Sequence, residues 1–160
     1  MKKLLIVACL VFICASCFWY PKGNWVDDAC RPKRPNFRIL KSPFKTTDKL
    51  VFNRIYDKVN WKYCGIGFYP DGRIIQWVAM DENKAKKEIS WENAHNIGYW
   101  RVNGVSIEYE YFVCSDFGFY NRRKGQIRGD TIIIYQTFYD LRLRKEVREE
   151  RYILSDRVFH

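Results

Sequence analysis

From Phe37 onward, apolar and polar residues alternate with a period of two, which is the pattern of half-buried β-strands. The clearest strand pair is IGYWRVNGVSIEYEYFVC at residues 97–114, where Asn103-Gly104 supplies the two positive-φ residues of a tight hairpin turn. The return arm places on one face the apolar residues Val105, Ile107, Tyr109, Tyr111 and Val113. Three polar residues, Ser106, Glu108 and Glu110, form the other face, so this segment predicts a strand with one side in a core.

Further turn signals divide the rest of the chain into strands. Pro70-Asp71-Gly72 separates a run at residues 64–69 from a return strand at residues 74–80, and Gly129-Asp130 precedes the β-branched run at residues 131–139. The segment Arg122-Arg123-Lys124-Gly125 predicts a basic turn, and residues 149–155 predict a closing strand. Residues 37–40 and 49–56 predict earlier strands. About eight to ten strands at hairpin spacing predict an all-β antiparallel sandwich or barrel.

Two segments fit this pattern less well. Residues 81–96, DENKAKKEISWENAHN, predict the one helix of the chain, because Asp81 can cap a run of good helix formers. Residues 141–150, LRLRKEVREE, are strongly charged, but their alternation favours a strand in a long hairpin. The fold class predicted here is therefore all-β, an up-and-down barrel or strongly curved meander with at most one short helix.

The first sixteen residues predict an export signal. Lys2 and Lys3 form a cationic start, and the thirteen residues that follow, LLIVACLVFICAS, carry no charge. That length suits the apolar core of a signal peptide and falls short of the about 20 residues that span a bilayer. The small pair Ala15-Ser16 before Cys17 resembles the cleavage box of bacterial lipoproteins, in which the cysteine becomes lipidated. The alternative is an ordinary secretory site and a secreted protein whose Cys17 carries no lipid.

The remaining chain divides into a tether and one domain. Residues 17–36 comprise the lipidated Cys17 and a segment with three of the five prolines, and residues 37–160 form a single β-barrel domain. Beside a bilayer, Arg31, Lys33 and Arg34 would be attracted to anionic headgroups; the alternative is an ordinary polar linker. The predicted location is the bacterial cell envelope, with a lipid anchor in the outer membrane and the domain on its periplasmic face.

Three cysteines, Cys30, Cys64 and Cys114, remain after the signal peptide is removed and Cys17 is lipidated. An odd number allows at most one intramolecular disulfide. Two alternatives stay open. Cys64 and Cys114 lie in predicted strands that pair in some arrangements and would form a bridge, or all three thiols pack as small hydrophobic groups.

The remaining motifs argue against catalysis. Glu92 and His95 are spaced like a metal pair on a helix, but no second histidine or third ligand accompanies them, so we predict no metal site and no cofactor. Gly65-Ile66-Gly67 lies inside a strand and lacks the third glycine of a dinucleotide loop. The net charge of +10 would suit nucleic acid in a cytoplasmic protein, but the signal peptide argues against that partner. We therefore expect a protein that is not an enzyme.

Several motifs follow one another in a familiar order: the lipoprotein signal, the hairpin FYPDGRII (residues 68–75), the hairpin GYWRVNGVSI (residues 98–107) and the strand pair GQIRGDTIII (residues 125–134). Together they resemble the small lipocalin-like lipoproteins of Bacteroidetes, over roughly residues 51–154. The resemblance implies an up-and-down barrel and supplies no catalytic residues.

Two binding functions are compatible with these features. The first is a small apolar or amphipathic ligand held inside the barrel, with the candidate lining residues Phe68, Trp77, Trp100, Tyr109 and Tyr135. The alternative is a protein-interaction or envelope-assembly module that uses basic hairpin ends, with the basic patch Arg122, Arg123, Lys124 and Arg128. The expected partners are therefore the membrane, through the lipid, and either a small hydrophobic ligand or an envelope protein.

Overall fold

A computed structural model describes residues 22–85, 88–139 and 145–160. Eight strands form a closed antiparallel barrel in which each strand pairs with the next along the chain and the last pairs back with the first. The barrel strands are β3 (Arg54–Lys58), β4 (Cys64–Phe68), β5 (Arg73–Val78), β6 (Asn96–Asn103), β7 (Ser106–Val113), β8 (Phe119–Arg128), β9 (Thr131–Tyr139) and β10 (Lys145–Val158). The predicted fold class, an all-β up-and-down barrel, is confirmed.

One end of the barrel interior is filled by apolar side chains. Trp100 lies at its centre, fully buried, and its indole N–H donates to the Tyr69 carbonyl oxygen at 3.1 Å. The rings of Phe44 and Phe52, from the segment that precedes β3, lie 5.2 and 5.9 Å from the Trp100 ring. This segment closes the barrel at the end where the β4–β5, β6–β7 and β8–β9 turns meet, which we call the apolar end.

The N-terminal segment joins the fold through a small hairpin. Strands β1 (Gly23–Val26) and β2 (Ala29–Pro32) form a two-stranded sheet within the segment that the sequence indicated as a tether. Cys30 is fully buried, its N–H donates to the His95 carbonyl oxygen at 2.8 Å, and its sulfur is bonded to that of Cys114. The two Cα atoms lie 5.7 Å apart. The hairpin is therefore covalently attached to the end of β7.

The alternative of a Cys64–Cys114 disulfide is wrong, and so is that of three reduced thiols. Cys64 is a free, buried cysteine at the start of β4. Strands β4 and β7 are separated in the barrel by β5 and β6, so their side chains do not meet along a shared strand edge.

A helix does form within the predicted residues 81–96, but the prediction that it extends to residue 96 is wrong. Helix α1 is described over Glu82–Ala85, and Asp81 caps it as expected by accepting from the Lys84 N–H at 2.9 Å. Residues 86–87 lie outside the described part, and the chain from residue 88 to β6 is not helical. Its carbonyl groups serve other elements, because the Ile89 oxygen accepts from the His160 N–H and the Trp91 oxygen accepts from the Arg31 guanidinium.

Two other expected strands differ. A 3₁₀ helix at Arg38–Lys41 replaces the strand predicted at residues 37–40, because the N–H of buried Ile39 donates to the Glu110 carboxylate instead of to a strand. Strand β3 begins only at Arg54 within the predicted residues 49–56. Residues 145–150 belong to β10 as the alternation indicated, while residues 141–144 lie outside the described part. No helix among the described residues is long and apolar enough to cross a membrane.

Candidate ligand-binding site in the barrel

Three of the five candidate lining residues face the barrel interior. Phe68, Trp100 and Tyr109 all belong to the buried cluster inside the barrel. Trp77 lies on the outer side, in a second cluster with Ile75 and other residues. Tyr135 also faces outward, because Ile134 beside it points inward and successive side chains alternate along a strand. The sequence indicated the aromatic content of the interior but assigned the wrong face to these two residues.

The four residues of the basic patch do not form one surface. The predicted turn at Arg122–Gly125 is wrong, since these residues lie inside β8. Arg122 and Lys124 point outward, and both form ion pairs with Glu108 on β7, at 2.6 and 3.5 Å. Arg128, near the β8–β9 turn, donates to the Gln126 side chain at 3.0 Å. Arg123 lies on the opposite face and points into the barrel.

Arg123 belongs to a chain of polar contacts inside the barrel, which we call the interior network. In the amide orientation that satisfies both neighbours, the Gln136 oxygen accepts from the Arg123 guanidinium at 2.8 and 2.9 Å, and the Gln136 nitrogen donates to Glu150 at 3.2 Å. The same carboxylate accepts from the Lys58 ammonium at 2.7 Å and from the Tyr152 hydroxyl at 3.2 Å. The interior network thus joins two cations and one carboxylate, with one positive charge in excess.

Strand alternation explains why charged groups face inward here. Tyr56, Tyr152 and Ile134 are inward residues of β3, β10 and β9, so Lys58, Glu150 and Gln136, each two positions away, share their faces. The backbone register places β10 beside both β3 and β9, which brings these side chains together. The sequence analysis missed Lys58, Gln136, Glu150 and Tyr152. The period-two pattern carried the signal, but only closure of β10 onto β3 shows that they meet.

The interior network lies in the half of the barrel opposite the apolar end. Solvent reaches it, because the side chains of Lys58 and Glu150 are 18% and 24% exposed. The Lys58 ammonium also lies 5.0 Å from the centre of the Trp61 ring, which is 55% exposed in the β3–β4 loop. Registered pairing between β8 and β9 ends at Lys124 and Tyr135, one position before Arg123 and Gln136. The guanidinium therefore lies where the two strands stop pairing.

Hydroxyl and thiol groups surround the network in their neutral forms. Burial raises the pKa of Tyr109 well above its usual value, and burial likewise raises the pKa of Tyr152. The Tyr111 hydroxyl accepts from the Asn121 amide at 3.1 Å. Burial raises the pKa of the Cys64 thiol to about 11, so at neutral pH it is protonated and a poor nucleophile. The buried Tyr109 hydroxyl is therefore a neutral hydrogen-bond donor inside the barrel.

The two candidate groups for metal chemistry lie elsewhere. His95 packs against the Trp25 ring at 5.3 Å, outside the barrel, and burial lowers its pKa. Within residues 22–85, 88–139 and 145–160, no three His, Cys, Asp or Glu side chains are grouped closely enough to hold a metal ion. The polar chemistry of the interior therefore centres on Arg123 and its neighbours.

Comparisons with known proteins add no family assignment. No protein-family model, no curated protein and no solved structure was found to match the chain.

Proposed function

We propose that the protein is a lipid-anchored, extracytoplasmic binding protein whose lipocalin-like barrel holds a small amphipathic ligand and catalyses no reaction. The ligand's anionic group binds Arg123, and its apolar part contacts the aromatic rings in the same half of the barrel. The lipid is carried by Cys17, which lies outside the described residues, and the domain faces the periplasm from the outer membrane.

The observation that carries this proposal is the environment of Arg123. Its side chain points into the barrel and is half-buried, and among the described residues no carboxylate lies within ion-pair distance of it. A charged group removed from water without an opposite charge is costly, and guanidinium pairs well with carboxylate or phosphate oxygens. The Gln136 amide, its hydrogen-bond partner among the described residues, is neutral. An anionic ligand would supply the missing charge.

The arrangement also explains why a purely apolar ligand is less suitable. The apolar end is occupied by the protein's own side chains, with Trp100 and Phe68 fully buried. The half that solvent reaches contains charged and hydroxyl groups, which a hydrocarbon alone would leave without hydrogen bonds. A ligand with an anionic end and an apolar part suits both the charged groups and the aromatic rings in this half of the barrel.

A comparison of dodecanoate with its methyl ester tests the ligand class. We expect calorimetry of the purified full chain to show binding of dodecanoate and much weaker binding of the uncharged ester. Arg123→Gln should weaken dodecanoate binding by about 10- to 100-fold, the value of a charge-assisted hydrogen bond. Lys124→Gln is the matched control, because it removes the neighbouring charge from the outer face and should leave the affinity unchanged. Equal loss in both variants, or tighter binding of the ester, would contradict the proposal.

The anchor is tested separately through Cys17→Ser. The wild-type chain should fractionate with membranes and carry the mass of a lipid on Cys17. The variant should lack that mass and leave the membrane fraction. Unchanged membrane attachment of the variant would show that Cys17 is not the anchor.

A further inference from the structure

A second site, distinct from the barrel interior, lies on the outside of the protein. It is a groove of about 790 Å³ between the N-terminal segment and β8. Its charged lining residues are Lys22, Lys33, Arg34, Arg38, Arg122 and Glu110. Five cations and one carboxylate give this surface, which we call the basic groove, a strong positive potential.

The backbone that carries these cations is held firmly on the barrel. The Lys22 N–H donates to the Phe117 carbonyl oxygen and the Lys33 N–H donates to the Lys22 carbonyl oxygen, both at 2.8 Å. The Tyr120 hydroxyl accepts from the Asn36 N–H at 2.7 Å and donates to the Arg34 carbonyl oxygen at 3.2 Å. The groove is therefore preformed rather than assembled around a ligand.

Most of the positive charge in the groove has no internal counter-charge. The Glu110 carboxylate is buried and engaged by the Ile39 N–H at 2.9 Å. Arg122 is paired with Glu108. By contrast, no carboxylate of the described chain lies within ion-pair distance of Lys22, Arg34 or Arg38. These three exposed cations are available to an external anion.

Two features point to a membrane as the source of that anion. Phe119 lines the groove and is 41% exposed, and Phe117, whose carbonyl oxygen binds Lys22, is 58% exposed. Exposed aromatic rings beside cations suit the headgroup region of a bilayer, whereas a dissolved phosphate ion would make no use of them. In addition, Lys22 follows Cys17 by only five residues, which span at most about 17 Å when fully extended.

We propose that the basic groove binds the phosphate headgroups of anionic lipids in the membrane that holds Cys17. This inference rests on the lipid anchor of the proposed function. The phosphodiester oxygens accept hydrogen bonds from Lys22, Arg34 and Arg38, while Phe117 and Phe119 lie at the interface. The groove thereby fixes the orientation of the barrel on the membrane surface.

Lysine labelling of the purified, membrane-reconstituted protein tests this orientation. Vesicles of phosphatidylcholine alone are compared with vesicles containing about 30% phosphatidylglycerol, and an amine-reactive reagent is read out by mass spectrometry. We expect Lys22 and Lys33 to react several-fold more slowly on the anionic vesicles and Lys49, on an exposed loop, to react equally on both. The protection should disappear in 0.5 M NaCl. Equal labelling of Lys22 and Lys33 on both vesicles would overturn the inference.

A second arm separates the groove from the anchor and from free phosphate. The full chain in solution is labelled in the presence of dihexanoyl phosphatidylglycerol, dihexanoyl phosphatidylcholine or inorganic phosphate. We expect protection by the first alone, and equal protection by inorganic phosphate would overturn the lipid assignment. The chain could wash off phosphatidylcholine vesicles while the soluble anionic lipid still protects Lys22 and Lys33. That result would overturn the proposed lipid anchor on Cys17 and would support headgroup binding by the basic groove.

Paired substitutions complete the test. Arg34→Gln combined with Arg38→Gln should reduce the protection of Lys22 several-fold, because both cations line the groove. Arg128→Gln removes an exposed charge near the β8–β9 turn, outside the groove, and should leave it unchanged. A similar loss with Arg128→Gln would show that net charge, not the groove, accounts for binding.

Discussion

Among individual residues, Cys64 shows how burial inside the barrel changes the pKa of a side chain. Its side chain faces inward, and burial outweighs the favourable effect of the nearby Lys58 ammonium, so the thiol pKa rises from its ordinary value of 9.0 to about 11. The sulfur is therefore a buried, neutral group that packs against its neighbours.

This thiol makes the stability of the protein depend on pH in the alkaline range. Below pH 9 the thiol is protonated in both the native and the unfolded state, and its contribution to the free energy of unfolding is fully present. Between pH 9 and about pH 11 the unfolded chain loses the proton and the native state retains it, so the free energy of unfolding falls by up to about 1.4 kcal/mol per pH unit. Urea unfolding at pH 8, 9 and 10 should show a steeper loss in wild type than in Cys64→Ala. Parallel curves would refute the assignment.

The inward-facing charge of Arg123 should lower the stability of the ligand-free protein, and a second substitution tests this. Arg123→Met keeps a long side chain and removes a charge whose hydrogen-bond partner in the described part of the chain is a neutral amide. We expect the ligand-free protein to gain about 1 kcal/mol of stability while dodecanoate binding is lost. Chemical denaturation and calorimetry of the same samples measure the two effects. A variant that is less stable and still binds would show that Arg123 is a structural residue.

At the scale of secondary-structure elements, a glycine allows β6 and β7 to approach closely. A Cβ atom added to Gly98 on β6 would lie 2.7 Å from the Tyr111 Cα atom on β7 and still closer to the Glu110 carbonyl oxygen. The backbone of β7 would have to move. The turn residue Gly104 differs, because its φ is +62° and no atom lies within 4 Å of the added Cβ.

The comparison of these two glycines gives a prediction about packing. Gly98→Ala should lower the free energy of unfolding by about 3 kcal/mol through overpacking, and Gly104→Ala by only about 1 kcal/mol through its left-handed backbone. Denaturant unfolding of both variants checks the order. If Gly104→Ala were the more damaging change, turn conformation rather than strand contact would limit stability.

The turns were the most predictable elements. The predicted hairpin between β6 and β7 forms, but its turn lies one position further along the chain. Asn103 is the last residue of β6, opposite Ser106, and of the predicted turn pair only Gly104 has a positive φ. Val105, predicted on the apolar face, is 51% exposed in the turn, while the apolar face of β7 from Ile107 onward packs inside the barrel.

The turn prediction at residues 122–125 was wrong because three adjacent charged residues are typical of an exposed turn. In the folded chain, Arg122 and Lys124 on the outer face both form ion pairs with Glu108, and the inward Arg123 donates to Gln136. Those partners belong to other strands, so local sequence does not reveal them.

The site was less predictable than the fold for the same reason. Alternation shows which residues share a strand face, but Lys58 and Glu150 are 92 positions apart and meet only because β10 closes onto β3. Likewise, Cys30 and Cys114 are 84 positions apart, and their pairing depends on where the N-terminal hairpin packs. Contacts of this kind depend on which distant strands come together when the barrel closes and the hairpin packs. The polarity pattern of a single strand does not show which strands these will be.

At the scale of the whole molecule, the disulfide is a major contribution to stability. It closes a loop with a sequence separation of 84, for which the loss of chain entropy in the unfolded state corresponds to about 4.6 kcal/mol. Cys30→Ala combined with Cys114→Ala should lower the free energy of unfolding by that amount, and a reductant should lower wild type to the same value. Cys64→Ala is the control that leaves the bond intact. If the midpoint of guanidinium unfolding of the wild type were the same with and without reductant, the expected contribution of the disulfide would be contradicted.

The same disulfide determines how mechanical force enters the molecule. A pull on the chain before β1 passes from Cys30 directly to Cys114 at the end of β7. Residues 31–53, which include the 3₁₀ helix and the segment that closes the apolar end, belong to the loop that the disulfide closes and are not part of that path. Tension applied to the chain before β1 therefore acts on the end of β7 and does not act on the segment that closes the apolar end.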